Sequence, residues 1–334
     1  MKLIRILLFP IVPVYYIVTW LRNTFYDTGI KKSKSYNFPI ICVGNLSAGG
    51  TGKTPMVEYL IRLLKDHYKI ATLSRGYGRN TKGYVLANNS ITAKDIGDEP
   101  YQFYHKFNET IQVSVDENRQ HGIATLQNSK NQPEIILLDD AYQHRKVTAG
   151  LNILLSTYNQ PFYNDIVLPT GNLREPRNGS KRAHIIVITK CPDTITDNEK
   201  LDITKRIKPK AHQQVFFSSI AYSNNVNNSN ESKPIVSLSN FTLVTGIANA
   251  KPLVNFLESK NLKFNHLEFK DHHEFSTKDI EMISKEELII TTEKDYMRLK
   301  NITALNSKLY YLPIESTIDR PEAFNKVILD FASS

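Results

Sequence analysis

Residues Ile40-Ile41-Cys42-Val43-Gly44-Asn45-Leu46-Ser47-Ala48-Gly49-Gly50-Thr51-Gly52-Lys53-Thr54-Pro55 decide how the rest of the chain is read. An apolar run, a glycine-rich turn and a proline suited to a first helical turn predict a strand, a loop and a helix in succession. Against the phosphate-loop pattern G-x-x-x-x-G-K-[ST] the match holds at Gly52, Lys53 and Thr54, while Ser47 stands at the first glycine position. The physics of the loop survives that departure. Glycines at 49, 50 and 52 let backbone N–H groups converge on phosphate oxygens at a helix N-terminus, Lys53 neutralises the β and γ phosphates, and Thr54 reaches Mg2+. Ser47, Gly49, Gly50, Thr51, Gly52, Lys53 and Thr54 are therefore the candidate nucleotide-binding residues.

Apolar runs at 40–43, 70–73, 111–115, 135–138, 151–155 and 185–188 alternate with helix-period segments. Several read as unbroken Ile/Val/Leu, as strands buried on both faces do, which predicts an α/β fold with a mostly parallel sheet and flanking helices. The run Ile135-Ile136-Leu137-Leu138 ends in Asp139-Asp140. Adjacent carboxylates at a strand end repel unless a cation lies between them, so both are candidate Mg2+ ligands together with Thr54. A guanine-reading Asn/Thr-Lys-x-Asp is missed by one residue in Thr189-Lys190-Cys191-Pro192-Asp193, which argues against a GTPase.

At 334 residues the chain has length for roughly two domains. Composition excludes wholesale disorder, collagen and coiled coil, since 41% of residues are hydrophobic and 22% charged, with 14 Gly and 15 Pro. Cys42 and Cys191 lack any CxxC partner, which points to a reducing compartment. The texture predicts four segments: 1–36, an apolar basic helix; 37–214, the phosphate-loop unit; 215–238, a two-stranded hinge with a Ser/Asn tract between strands at 215–222 and 234–238; and 239–334, a smaller α/β unit.

Residues 1–36 hold Lys2, Arg5, Arg22, Lys31, Lys32 and Lys34 against Asp27, so more than half of the net charge of +9 sits at one end. No basic stripe interleaved with aromatics follows, which argues against nucleic acid. The apolar stretch 3–21 would reach about 28 Å as a helix, short of a bilayer core, and it carries Pro10 and Pro13. With Tyr15, Tyr16 and Trp20 beside basic residues it suits a helix lying in or dipping into an anionic membrane interface; a helix capping the core is the competing reading.

Polar motifs follow the predicted strands: Ser74-Arg75-Gly76-Tyr77-Gly78-Arg79, Gly97-Asp98-Glu99-Pro100, Asp139-Asp140-Ala141-Tyr142-Gln143-His144-Arg145, Leu173-Arg174-Glu175-Pro176 with Arg177, and, in the smaller unit, Asp271-His272-His273-Glu274-Phe275 and Thr292-Glu293-Lys294-Asp295. In order, and with the phosphate loop and the apolar N-terminus, they resemble the tetraacyldisaccharide 4'-kinases of lipid A synthesis over nearly the whole chain. The resemblance implies ATP as phosphoryl donor, Mg2+, a lipid A disaccharide 1-phosphate acceptor, and a place at the cytoplasmic face of a bacterial inner membrane, with no obligate protein partner. It implies further that Asp98 accepts the acceptor's proton while His272 orients or tunes it. His272 is favoured over His273 because it directly follows the Asp. Lys53 serves catalysis as well as binding, His144 and Glu175 support the metal site, Arg174 and Arg177 meet transition-state charge or the 1-phosphate, and Arg75 touches substrate. A membrane-bound nucleotide switch leaves the Asp98 and His272 motifs unexplained. A kinase of a soluble metabolite leaves the N-terminus without a purpose.

Overall fold

The computed structural model describes residues 2–271 and 273–334; Met1 and His272 lie outside the described residues. The expected strands become β1 (Ile40–Asn45), β2 (Ile70–Ser74), β4 (Gln112–Val115), β5 (Ile135–Asp139), β6 (Leu151–Thr157), β7 (Ile185–Thr189) and β8 (Gln214–Tyr222), while the two-residue β3 (Val85–Leu86) is not among those expected. The remainder of the chain supplies β9 (Asn225–Asn227), β10 (Ser232–Pro234), β11 (Phe241–Thr245), β12 (Phe264–Glu268), β13 (Ile289–Thr292), β14 (Leu309–Leu312) and β15 (Ile314–Ile318). These form a nine-stranded sheet, ordered β15-β8-β7-β6-β1-β5-β2-β4-β3, and a six-stranded sheet, ordered β10-β9-β14-β13-β11-β12. Pairing from β4 through β8 is parallel, and antiparallel strands close both edges of the larger sheet. Strands β1, β2, β5 and β7 are buried at every position, which is why they read as continuous apolar runs.

In the first crossover the Lys53–Leu64 helix turns Met56, Val57, Leu60, Ile61 and Leu64 into the core. Ligands of open parallel sheets gather outside the carboxyl ends of the strands. That edge receives the loop after β1 and, from the neighbouring β5, Asp139.

The expected strand at 234–238 is instead a short β10 followed by a 3-10 turn over Ile235–Ser237. Pro234 has no N–H to donate, so a ladder cannot be carried through it. The long antiparallel partner of β8 is β15, in register from Ile314 opposite Tyr222 to Ile318 opposite Ser218. The chain thus leaves the larger sheet along β8, builds the smaller one, and returns along β15. The Pro321–Ala332 helix that follows packs Phe324 edge-on to Phe216 and Tyr59, so this last segment joins the core of the larger unit.

At the N-terminus Pro10 and Pro13 break the apolar stretch into Lys2–Leu7, a 3-10 turn Phe9–Ile11 and the Val12–Asp27 helix. Among the described residues no helix is long and apolar enough to cross a membrane. The Val12–Asp27 helix sets Val12 and Tyr15 against the core but leaves most of its other apolar side chains exposed. Asn23 is its buried residue, while Leu7 is 75% and Val18 59% exposed, with Phe9, Val14, Ile17 and Trp20 also open.

Candidate active site

Gly52 caps the Lys53–Leu64 helix in the left-handed region (φ 86°), and Gly49 sits at φ 112°, conformations that an L side chain would strain. The turn is braced from several sides. Asn45 Nδ2 donates to Thr51 Oγ1 at 2.8 Å, Thr189 Oγ1 donates to the Thr51 carbonyl at 2.8 Å, and Lys190 Nζ donates to the Gly50 carbonyl at 2.7 Å. The Thr189-Lys190 pair that nearly spelled a guanine signature therefore buttresses the phosphate loop. Ser47 bridges to Leu173, and Arg174 N donates to the Leu46 carbonyl at 2.7 Å, so the 173–177 loop lines the same turn. Thr51 is buried, and Thr54 is half-buried in the first helical turn.

Lys53 Nζ stands 3.7 Å from Asp140 Oδ1. Arg174 Nη1 reaches both oxygens of that carboxylate, at 3.0 and 3.2 Å, with Asp140 itself held at φ 48°. Asp139 is buried, and its Oδ1 has no hydrogen-bond partner among the described residues. Burial pushes the Asp139 carboxyl up to about 8; the charges of Glu99 and Asp140 add to the rise, while Lys53 and Arg119 oppose it. An orphaned, crowded carboxylate oxygen at the mouth of a phosphate loop suits Mg2+, which restores both the missing partner and the missing positive charge. Among the described residues no three His, Cys, Asp or Glu side chains converge to hold a metal unaided.

The expected supports part company here. Glu175, 1% exposed, accepts from Arg182 Nη1 at 3.0 Å and Nη2 at 2.8 Å, from Asn23 Nδ2 at 2.5 Å and from Gln143 Nε2 at 3.1 Å. Its carboxylate fastens the N-terminal helix to the 173–177 loop. Arg177 Nε donates to the Asp165 carbonyl at 2.7 Å on the surface. His144 is pushed down to about 4, by burial first and then by Arg119, Lys146, Arg22 and Arg75, so it stands as a neutral imidazole among cations, its Nε2 buried with no hydrogen-bond partner among the described residues. Arg75 is exposed at the end of β2.

Asp98 opens the Asp98–Phe107 helix, behind Gly97 at φ 93°, where an added Cβ would lie 2.7 Å from the Tyr77 carbonyl oxygen. Its carboxylate accepts from Arg298 Nε at 3.1 Å and also from Nη2. Arg298 belongs to the Glu293–Leu299 helix of the smaller unit, two hundred residues away in sequence, and no local motif announces it. His272 lies outside the described residues. His273 stacks on Phe269, with ring centroids 4.7 Å apart, and its Nε2 meets Asp279 Oδ2 at 3.0 Å, which ties it to the cap of the Thr277–Ile283 helix. Lys294 Nζ lies 3.8 Å from Asp271 Oδ1, while Asp295 is buried and accepts from Gly246 N at 2.8 Å.

A family profile described as LpxK, tetraacyldisaccharide-1-P 4'-kinase, matches residues 4–333. The chain belongs to the tetraacyldisaccharide 4'-kinase family. It is 48% identical to the tetraacyldisaccharide 4'-kinase of Flavobacterium johnsoniae, over 99% of this chain and 98% of that one. The kinase of the same name from Bacteroides thetaiotaomicron is 43% identical over 97% of this chain and 92% of its own. Among solved structures, LpxK from Aquifex aeolicus in complex with ATP superposes with a TM-score of 0.80 at 31% identity, over 98% of this chain and 99% of that one. The family's fold is thus the fold described above, and a phosphate loop, a carboxylate pair and an apolar flank are features that a kinase of a lipid acceptor requires.

Proposed function

We propose that the chain is an ATP-dependent kinase that transfers the γ-phosphoryl group to the 4'-hydroxyl of tetraacyldisaccharide 1-phosphate in lipid A synthesis, working with Mg2+ at the cytoplasmic surface of the inner membrane. The observation that carries this reading is Lys53, Asp140 and Arg174 meeting at the mouth of the phosphate loop beside an Asp139 oxygen with no hydrogen-bond partner among the described residues. The loop's N–H groups and Lys53 hold the phosphates, and Arg174 adds charge where the transferring group becomes most anionic. When bound, Mg2+ neutralises phosphate charge, and Asp139, Asp140 and Thr54 are the groups that would hold it. Asp98 accepts the hydroxyl proton, a role that a weak base can fill because phosphoryl transfer is loose and depends chiefly on positioning. By family resemblance His272 partners Asp98.

Lipid acceptors reach such a site from a membrane surface. The exposed Leu7, Phe9, Val14, Ile17, Val18 and Trp20, beside basic residues, suit insertion at the level of the headgroups. The Val12–Asp27 helix is joined to the catalytic edge through Tyr15 Oη donating to the Arg174 carbonyl at 3.0 Å and Arg22 Nη2 donating to the Gln143 carbonyl at 2.7 Å. Incubation with ATP and tetraacyldisaccharide 1-phosphate in mixed micelles, followed by mass spectrometry, tests the proposal. A lipid gaining one phosphate on the distal sugar is expected, and unchanged lipid with ATP consumed would refute it.

A further inference from the structure

The Asp98–Phe107 helix and the Glu293–Leu299 helix pack against each other and are tied at both ends in opposite order. At one end Arg298 holds Asp98. At the other, Lys106 Nζ lies 2.6 Å from Glu293 Oε1, and the same ammonium lies 2.7 Å from Glu58 Oε2, on the phosphate-loop helix. Just past the end of the Glu293–Leu299 helix, the Lys300 ammonium sits 4.6 Å from the centroid of the Tyr101 ring. Glu58 is 1% and Glu293 6% exposed; Gln102 Nε2 donates to Glu58 Oε1 at 2.9 Å, Arg62 Nη1 stands farther off at 3.5 Å from Glu58 Oε2, and Ile314 N donates to Glu293 Oε2 at 3.4 Å.

Three elements therefore meet on one ammonium: the helix that begins at Lys53, the helix that begins at Asp98 and the helix that carries Arg298. Burying two carboxylates around one lysine contributes little net stability, since desolvation offsets most of the attraction. What such a cluster does supply is a fixed register, because the alternative arrangements leave a charge buried alone. A helix transmits a displacement at one end to the other as a nearly rigid rod, and Asp98 is about 12 Å of helix rise from Lys106. Resting on the reading of Asp98 as the proton acceptor, we propose that Lys106, clamped between Glu58 and Glu293, is a positioning residue that sets Asp98 against the phosphate loop.

Steady-state phosphoryl transfer by Lys106→Met, Lys106→Arg and Glu293→Gln, alone and combined with Asp98→Asn, tests this. Lys106→Met is expected to lower kcat about 10²-fold, the size of effect that a misplaced reacting group produces, with KM for ATP within about threefold of wild type. Lys106→Arg, which keeps charge and reach, restores kcat to within about threefold, and Glu293→Gln, which leaves Lys106 paired to Glu58 and the fold intact, costs about tenfold. On the Asp98→Asn background Lys106→Met adds less than about threefold, because residues acting as one unit are not additive. A loss that multiplies through in the double variant, a KM for ATP that rises in step with the fall in kcat, or Glu293→Gln at wild-type kcat would overturn the proposal and leave the cluster a structural one. Asp98→Asn at wild-type kcat would instead remove the base assignment, and this inference with it.

Discussion

Replacing Arg182 by Met tests whether Glu175 is a structural anchor. Arg182 gives two hydrogen bonds to a carboxylate that is 1% exposed, and Asn23 and Gln143, both neutral, are its other partners. Removing the cation strands a buried charge, a change that costs about 3–5 kcal/mol. For 334 residues the unfolding entropy near 60 °C is about 0.7 kcal/mol/K, so the midpoint should fall by about 4–7 °C. Scanning calorimetry reads this directly. Adding Glu175→Gln to Arg182→Met removes the stranded charge and should recover most of the loss. If Arg182→Met left the midpoint unchanged, or the double variant fell as far as the single, Glu175 would not be held as described.

Gly44→Ala places a Cβ 2.6 Å from Tyr142 Cβ and 3.1 Å from its backbone nitrogen, so denaturant titration should show a loss of about 1–3 kcal/mol. Burial, with the Glu58 charge adding and Lys106 opposing, lifts Glu293 to about 7. The unfolded chain releases that proton near the ordinary glutamate value and the folded chain holds it longer. Stability should therefore fall as pH rises from about 4.5 to 7, and Glu293→Gln should remove that slope in urea titrations across the window. Val18→Glu on the exposed helix face should weaken flotation with anionic vesicles about tenfold or more while nucleotide binding is unchanged, since one buried aliphatic side chain is worth about 1.5–3 kcal/mol.

The phosphate loop and the central strands were legible because their physics is local. A strand buried on both faces must be apolar throughout, and a loop that cradles phosphate must carry glycines and a lysine at fixed spacing. What the linear pattern concealed is long-range pairing. Nothing near Asp98 points to Arg298, nothing near Val215–Tyr222 announces 314–318 as its partner, and the Ser/Asn tract suggested a hairpin with the next apolar run instead. Glu175 and His273 sit inside motifs dense with functional candidates, yet their partners are Arg182 and Asp279, and only the folded chain displays that. The Thr189-Lys190 pair falls one residue short of a base-reading signature, and its spacing gave no other role; its hydroxyl and ammonium turn to the loop's carbonyls.

The kinase assignment is tested by transfer of labelled phosphate from γ-32P-labelled ATP to detergent-dispersed tetraacyldisaccharide 1-phosphate by the wild-type chain, Lys53→Met and Asp98→Asn. Labelled lipid should form with the wild-type chain and drop by about 10²-fold or more in each variant, the loss typical when one transition-state contact is removed. Lipid that stays unlabelled with folded wild-type chain, or label that survives Lys53→Met at the wild-type rate, would contradict it.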